Sequence, residues 1–458
     1  MKKYKEYKGF SFFIFLILIE LCWLLGSKVS EMLLDLMESD GLSYSEIQLA
    51  ESFYHYTVAL TVIIWGILID KFSNFRKLFL IISNSIWIFG TIFLYTLKPQ
   101  FNNYLLVQIL WGFSFGANGP IFGSYLGDLF KINRRGLLFS SFTIVVYIIK
   151  AISIGATGIL GNFLGSWKAP SLFFAIICII ILIIFQFSKI EIKLASVEPE
   201  LAEKIEKGFV YKEKITWNGF KYVIKKKTNL LFLLQGITGM IGVTIVTRYM
   251  NYWFTSDRGM GMNALSASII LGIGAGIGAL TGIILVGKWI DHQFDKGNIN
   301  KTLYFSIICL FLQVIFYFIL TIVLKYPEKI IPENIFVDKI FELFPVFYYF
   351  IIIFNFCSFC GTPIGTTVHV ARTHINLPEH RGTAAALYDL FDFIGSGCAL
   401  IIGVIIYNSF NSYQITIFLG STFWLISAIL WILASISIKK DYLEVRTKLQ
   451  KFASSIDS

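Results

Sequence analysis

Twelve apolar stretches, each of about twenty residues, are the feature that most constrains the fold of this chain. A helix rises about 1.5 Å per residue, so a stretch of this length crosses the hydrocarbon core of a bilayer. Backbone groups find no partner in lipid, which requires the spanning segments to be helical. The predicted spans are 10–26, 48–69, 78–97, 103–127, 136–164, 169–187, 229–254, 263–287, 302–324, 344–369, 382–407 and 413–437.

The composition excludes a soluble globular protein. Hydrophobic residues make up 56% of the chain and charged residues only 15%, whereas soluble domains carry roughly 25% charge. All six cysteines fall in apolar stretches, so we predict free thiols rather than a disulfide framework. The spacing of Cys357 and Cys360 indicates packing on an apolar helix, and we expect neither a metal site nor a cofactor.

The basic residues indicate the orientation of the chain. Of the 39 Lys and Arg residues, 30 fall in loops and tails on the side of the N-terminus, seven fall on the opposite side and two lie within spans. Because Lys and Arg concentrate on the cytoplasmic side, both termini are predicted to be cytoplasmic. The same asymmetry explains the net charge of +10 without a nucleic-acid partner.

The long polar stretch 188–228 divides the predicted spans into two sets of six. The predicted organisation is an N-terminal half over 1–187, a cytoplasmic linker over 188–228, a C-terminal half over 229–438 and a cytoplasmic tail over 439–458. Ile215 to Lys227 is predicted to be either a short amphipathic helix on the inner face or part of a solvated linker.

Ionisable residues avoid every third span. Glu20, Glu51, His55, Lys150, Arg248, Asp389 and Asp392 lie in spans 1, 2, 5, 7 and 11. Charged groups are costly in lipid, so their helices should face a cavity, while spans 3, 6, 9 and 12 can face lipid. Four three-helix repeats would produce this pattern.

Two loops repeat one charged motif at equivalent places in the halves. The first, Gly66 to Lys77, contains Asp70, Arg76 and Lys77, and the second contains Gly287 and Asp291. The first resembles the signature loop of the major facilitator superfamily, although the usual Gly after the Asp is absent and the basic pair is displaced. This resemblance implies an all-α polytopic fold of twelve transmembrane helices in two six-helix halves. It also implies that these residues gate the conformational change.

Two further stretches resemble the spinster-like branch of that superfamily. They are G-F-S-F-G-A-N-G-P from Gly112 to Pro120, and N-L-P-E-H-R-G-T-A-A-A-L from Asn376 to Leu387 followed by Asp389 and Asp392. The branch usually carries an Arg where this chain has Gln108, which puts the proton-switch pairing of the branch in doubt here. The resemblance implies a secondary transporter and suggests a lysophospholipid-like substrate.

Several acidic residues are candidates for proton coupling. Glu20 lies near the predicted midplane, where it could bind and release a proton, although a structural salt bridge to Lys150 is the alternative. Asp389 and Asp392 are spaced three apart and share a helix face. Glu51 and His55, spaced four apart, are candidates as well, although a wet vestibule at the outer end of span 2 would also explain them.

The candidate substrate-binding residues are Lys150, Arg248 and Gln108. A cation as deep as Lys150 needs an anion, which could be Glu20, an Asp of span 11 or an anionic group of the substrate. Arg248 lies nearer the outer end of span 7, where extension of its side chain to the interface is the alternative explanation.

We therefore predict an integral, multi-pass, monomeric secondary transporter with the bilayer, protons and a small or amphiphilic, anionic solute as partners. An organic anion or sugar phosphate is the alternative substrate. A polytopic membrane enzyme or a non-transporting sensor is the alternative of another class. The chain has no nucleophile, His and acid set and no phosphate-binding glycine loop, so neither an enzyme nor an ATP-driven pump is expected.

Overall fold

A computed structural model of the protein describes residues 2–27, 29, 33–72, 75–122, 156–187, 217–327, 337–376 and 381–456. All regular structure within these ranges is helical. The chain divides into two compact units, Met1–Lys214 and Ile215–Ser458, and the division falls within the predicted linker 188–228.

The first unit contains six described helices and a seventh helical segment. They are α1 (Lys2–Ser27), α2 (Leu34–Ser39), α3 (Tyr44–Lys71), α4 (Arg76–Thr96), α5 (Phe101–Phe115), α6 (Ala169–Phe187) and residues 156–164. Ser43 begins α3 with a capping box: its hydroxyl accepts from the Glu46 amide, and the Glu46 carboxylate accepts from the Ser43 amide. The apolar span that contains α5 continues to Phe122.

The described residues of the second unit form eight α-helices. They are α7 (Trp217–Lys225), α8 (Lys227–Thr255), α9 (Ala264–Asp295), α10 (Ile299–Phe318), α11 (Val337–Leu343), α12 (Val346–Ile375), α13 (Arg381–Phe410) and α14 (Tyr413–Ile456). A π-helical turn, Ile319–Val323, extends α10. Because α7 is a helix, the amphipathic-helix alternative for 215–227 agrees with the structure over Trp217–Lys225.

Ten of the described helices are long and apolar enough to cross a membrane. They correspond to ten of the twelve predicted spans. The apolar part of α1, Ile14–Ser27, belongs to the first predicted span, and the helical residues 156–164 belong to the fifth. The protein is therefore an all-α polytopic membrane protein with twelve transmembrane helices in two six-helix halves.

Helix packing within the two halves is duplicated. In the first half α1 packs on α6, α3 on α5, and α4 on both α5 and α6. In the second half, the helices six spans further along the chain repeat each pair: α8 on α14, α9 on α12, and α10 on both α12 and α14. Both halves therefore bury their apolar faces in the same arrangement, as expected for related repeats.

Glycines set the closest helix approaches in both halves. A Cβ at Gly112 of α5 would lie 2.6 Å from the carbonyl oxygen of Tyr54 in α3. In α9, Gly274, Gly278 and Gly282 lie four residues apart and all face α12, whereas Gly272 and Gly276 have no described atom within reach of an added Cβ. The glycines on one face of α9 therefore permit its close approach to α12.

Candidate functional site

The carboxylate of Glu20 is buried in the first half and has an amide partner. Glu20 lies on α1 and is 6% exposed. The side-chain amide of Asn118, which follows α5, donates a hydrogen bond of 3.0 Å to Glu20 Oε2. Asn118 belongs to the Gly112–Pro120 stretch, so this stretch brings a polar group against the acid that was predicted to couple protons. An asparagine amide can donate to a carboxylate and accept from a protonated carboxyl.

An aromatic cluster lies one helical turn from Glu20. The ring of Trp23 stacks on Phe115 at a centroid distance of 4.1 Å and on Tyr54 at 6.1 Å. These three residues come from α1, α5 and α3, so they join the helices that carry Glu20 and Glu51 to the helix that precedes Asn118. The indole nitrogen of Trp23 is buried without a hydrogen-bond acceptor among the described groups. Glu20 therefore lies beside a packed aromatic cluster.

Glu51, His55 and Gln108 lie along the contact between α3 and α5. The phenol of Tyr104 donates a hydrogen bond of 3.0 Å to Glu51 Oε1, and both residues are buried. His55, one turn further along α3, packs edge-on against the ring of Tyr54. Gln108 is 3% exposed and lies one turn after Tyr104 on α5. Glu51 therefore belongs to the buried interface of two helices.

The second half contains a cluster of opposite charges. Asp389 and Asp392 lie on α13, and the guanidinium of Arg372 on α12 interacts electrostatically with both. The same guanidinium lies 5.6 Å from the centre of the Tyr388 ring. The Tyr388 hydroxyl is buried with no hydrogen-bond partner in the described part of the chain. We refer to Arg372, Tyr388, Asp389 and Asp392 as the α12–α13 charge cluster.

Glycines make room for Asp392 between α8 and α13. A Cβ at Gly236 of α8 would overlap Oδ1 of Asp392. One turn along α13, a Cβ at Gly395 would lie 2.5 Å from the carbonyl oxygen of Ile237. The two helices therefore approach backbone to backbone beside the acid, and only glycine fits at these positions without displacement of a neighbour.

Arg248 lies among tyrosines near the end of α8. It is 7% exposed, and its guanidinium lies 5.5 Å from the centre of the Tyr252 ring. Tyr252 belongs to a cluster with Tyr249, Tyr407 and Tyr413, in which the last two rings stack at 4.7 Å. The structure thus places Arg248 in a buried aromatic environment, where cation–π contact partly replaces lost hydration.

The residues of the two charged loops have different surroundings. Arg76 begins α4 and is buried. The Lys77 ammonium donates a hydrogen bond of 3.1 Å to the carbonyl of Gln186 in the last turn of α6, and so satisfies an acceptor that the helix end leaves without an intrahelical donor. Within the described residues, an added Cβ at Gly66 or Gly287 meets no atom within 4 Å. Asp70 and Asp291 lie in the last turns of α3 and α9, and their side chains are outside the described part.

Four polar residues near the candidate site residues are not indicated by the sequence alone. Arg372 was counted with the loop after span 10, but α12 extends to Ile375 and carries it into the charge cluster. Asn118, Tyr104 and Tyr388 carry no charge, so the survey of ionisable residues could not single them out. Lys150 lies outside the described residues. No group of three or more His, Cys, Asp or Glu side chains in the described ranges is arranged to hold a metal ion.

Comparison with known proteins agrees with this architecture. A sequence profile of the Major Facilitator Superfamily matches residues 9–368. The fold resembles the inward-facing, unoccupied crystal structure of a bacterial homologue of the human lysosomal transporter Spinster, with a TM-score of 0.71, 15% identity and coverage of 96% of this chain and 99% of that one. The occupied form of that homologue gives a TM-score of 0.64 at 13% identity, over 93% of this chain and 97% of that one.

The nucleoside transporter NupG also has a similar structure, with a TM-score of 0.59, 13% identity and coverage of 96% of this chain and 99% of that one. No curated protein sequence matches the chain. The superfamily profile covers most of the sequence, and the duplicated six-helix halves agree with it. This protein belongs to the Major Facilitator Superfamily.

Proposed function

We propose that the protein is a secondary active transporter that couples proton movement to the movement of an amphiphilic, anionic solute by alternating access, with a lysophospholipid as the candidate substrate. The superfamily match and the transporter folds that resemble this one support the general assignment. Protons, the bilayer and the solute are the proposed partners, the protein acts as a monomer, and both termini are cytoplasmic.

The buried contact between Glu20 and Asn118 is the observation that carries the proposal of proton coupling. A carboxylate in a membrane-spanning helix is costly, and such groups occur where they contribute to a relay or a binding site. Asn118 can keep its hydrogen bond to Glu20 in both protonation states of the acid, because an amide both donates and accepts. Glu20 can therefore gain and lose a proton without the loss of its neighbour.

The second half would supply a further protonation site. Asp389 and Asp392 lie on one face of α13, and Arg372 is the arginine that interacts with both among the described residues. One arginine can balance one carboxylate, so a proton on the other acid gives a neutral cluster. The buried hydroxyl of Tyr388 lies beside this pair of acids, where a donor or acceptor from the substrate would satisfy it. We assign proton coupling to Glu20 and Asp392, with Asp389, Glu51 and His55 in supporting roles.

An amphiphilic substrate is supported by what surrounds the charges. The rings of Trp23, Tyr54 and Phe115 next to Glu20 offer apolar and aromatic contact. Lys150 and Arg248 are the proposed partners of the anionic group of the substrate, and Gln108 is a proposed polar contact. This combination suits a solute with an acyl chain and a charged head better than a fully polar sugar phosphate.

Uptake of labelled lysophosphatidylglycerol into proteoliposomes, with and without an imposed pH gradient, tests the proposal. We expect a gradient to stimulate uptake and unlabelled lysophospholipid to compete with it. Unlabelled organic anions, a sugar phosphate and nucleosides should not compete. No uptake of the labelled lipid by vesicles that do take up a labelled nucleoside or small organic anion under the gradient would contradict the lipid assignment while leaving transport intact. The exposed-carboxylate variant Glu342→Gln provides the control, because Glu342 lies on the short helix α11.

A further inference from the structure

A sharp break separates α7 from α8 and fixes α7 against the second half. Lys226 lies between the two helices in an extended conformation, with φ −72° and ψ 122°. Its side chain is buried, and the ammonium donates to the carbonyl of Ile375 at the end of α12. The same ammonium lies 4.9 Å from the centre of the Tyr222 ring. Lys226 therefore joins the α7–α8 junction to the end of α12 and is not a surface charge.

Buried amides hold the same junction from the other side. The Asn229 amide donates to the Val223 carbonyl of α7 at 3.0 Å and to the Asn376 side chain at 2.8 Å. Asn376 donates back to Asn229 at 3.1 Å and to the carbonyl of Arg372 at 2.9 Å. Both asparagines are fully buried. The position of α7 relative to α8 and α12 is thus fixed by a satisfied polar network.

A set of exposed lysines results from this arrangement. Val223 is buried, while Lys221 and Lys225 are exposed and, four residues apart, share the opposite face of α7. Lys227 is exposed at the start of α8. The start of α8 contacts α14 through Thr228, which bonds to Ser437 and Asp441, and this contact brings Lys439 and Lys440 to the same end of the bundle. We call Lys221, Lys225, Lys227, Lys439 and Lys440 the basic rim.

Apolar surface begins within one helical turn of the basic rim. Leu230 and Leu234 on α8 are 40% and 39% exposed, and Ile436 on α14 is 73% exposed. Three residues separate Lys227 from Leu230 and Ile436 from Lys439, which corresponds to about 4.5 Å along a helix. The lysines therefore occupy the level at which lipid-facing apolar side chains give way to polar ones, which is the level of phospholipid headgroups.

We propose that the basic rim is a binding surface for the headgroups of anionic phospholipids in the adjacent leaflet. The acidic residues in the described segments 221–229 and 437–445 are Asp441 and Glu444, and Asp441 is buried in its bond to Thr228. Within these two described segments the exposed lysines therefore outnumber the exposed acid, Glu444. The distribution of Lys and Arg predicts that this end is cytoplasmic, and the cytoplasmic leaflet carries the anionic lipids.

Binding of phosphatidylglycerol to the purified full-length protein in uncharged detergent tests this proposal, with native mass spectrometry as the measurement and phosphatidylcholine as the reference lipid. We expect a preference for phosphatidylglycerol. Each lysine near an anionic surface contributes about fivefold in affinity, so Lys225→Gln with Lys227→Gln should weaken binding about 30-fold. The paired control Lys98→Gln with Lys325→Gln removes two exposed lysines from the other end of the spans and should leave affinity unchanged.

Equal binding of phosphatidylglycerol and phosphatidylcholine would overturn the proposal. An equal loss of affinity for phosphatidylglycerol in the rim pair and in the control pair would also overturn it. Displacement of the bound lipid by millimolar inorganic phosphate would also overturn it, because the surface would then recognise free anions rather than lipids. Thermal unfolding of each variant checks that it is folded, which we expect because the substituted lysines are exposed. No transport is measured here, so the outcome is independent of the proposed substrate and of proton coupling.

Discussion

The side-chain amide of Asn118 donates a hydrogen bond of 3.0 Å to Oε2 of Glu20, and both residues are buried within the N-terminal half. The bond joins the first transmembrane helix to the segment that follows α5. A charged group and its partner are thereby held together across about a hundred residues of sequence. The contact gives the proposed proton site a defined neighbour, and its two members can be changed separately.

Substitution of Glu20→Gln should abolish accumulation driven by a pH gradient while energy-independent exchange continues. The amide has the shape of the acid but cannot exchange a proton, so substrate could still move without coupling. Counterflow in proteoliposomes measures exchange, and uptake under a gradient measures accumulation. Full accumulation by the Glu20→Gln protein would show that this acid is not the coupling site.

Replacement of Asn118 by Ala should reduce both stability and gradient-driven uptake. A buried hydrogen bond to an ionised group contributes about 1.5–3 kcal/mol, and its loss leaves the acid without this donor. The matched control is Asn102→Ala, because Asn102 is exposed at the start of α5, the helix that precedes Asn118. Thermal unfolding in detergent and uptake under a gradient provide the two measurements. Equal effects of the two substitutions would show that the bond to Glu20 has no special role.

Removal of the Lys150 cation should discriminate between classes of substrate. Lys150→Ala should weaken the binding of an anionic lysophospholipid more than that of a zwitterionic one, because the lost interaction is with net negative charge. Competition between lysophosphatidylglycerol and lysophosphatidylcholine for uptake measures the difference, with Lys98→Ala as the exposed control. An equal loss for both lipids would instead assign Lys150 a structural role.

A methyl group at Gly236 should force Asp392 out of its position. Overpacking of this kind costs about 1–3 kcal/mol, so Gly236→Ala should lower the thermal stability and impair coupled uptake. In the double variant Gly236→Ala with Asp392→Ala the overlap is gone and the cost of the glycine change should largely disappear. Gly276→Ala, where no described atom is within reach, should be neutral or stabilising. A cost at Gly236 that is the same with and without Asp392 would contradict this account.

Loss of the Lys77 ammonium should weaken the attachment of α4 to the end of α6. The ammonium hydrogen-bonds the Gln186 carbonyl and lies 5.1 Å from the centre of the Phe185 ring. A cation at a helix C-terminus contributes about 0.3–1 kcal/mol, so Lys77→Met should reduce the free energy of unfolding by that amount. Lys77→Arg keeps the cation and should leave the stability unchanged. Thermal unfolding of the two variants measures the effect. Equal stability of Lys77→Met and the unmodified protein would show that the contact contributes nothing.

The sequence by itself determined the class of fold and the number of transmembrane helices. Hydrophobic stretches of bilayer length are set by composition alone, because lipid requires backbone groups to pair within each helix. Polar residues follow residue 369, so hydropathy ends the predicted span there and leaves Arg372 in a loop. In the structure α12 extends to Ile375 and includes Arg372.

The partners of the charges were decided only by tertiary structure. Nothing in the local sequence pairs Glu20 with Asn118, Glu51 with Tyr104 or Arg372 with the two acids of α13, because these interactions join residues of different helices. Asn118 and Tyr104 are neutral, so the pattern of charged residues in the sequence does not indicate them. The burial of Lys226, among neighbours that are exposed, depends in the same way on the break between α7 and α8 and on the carbonyl at the end of α12.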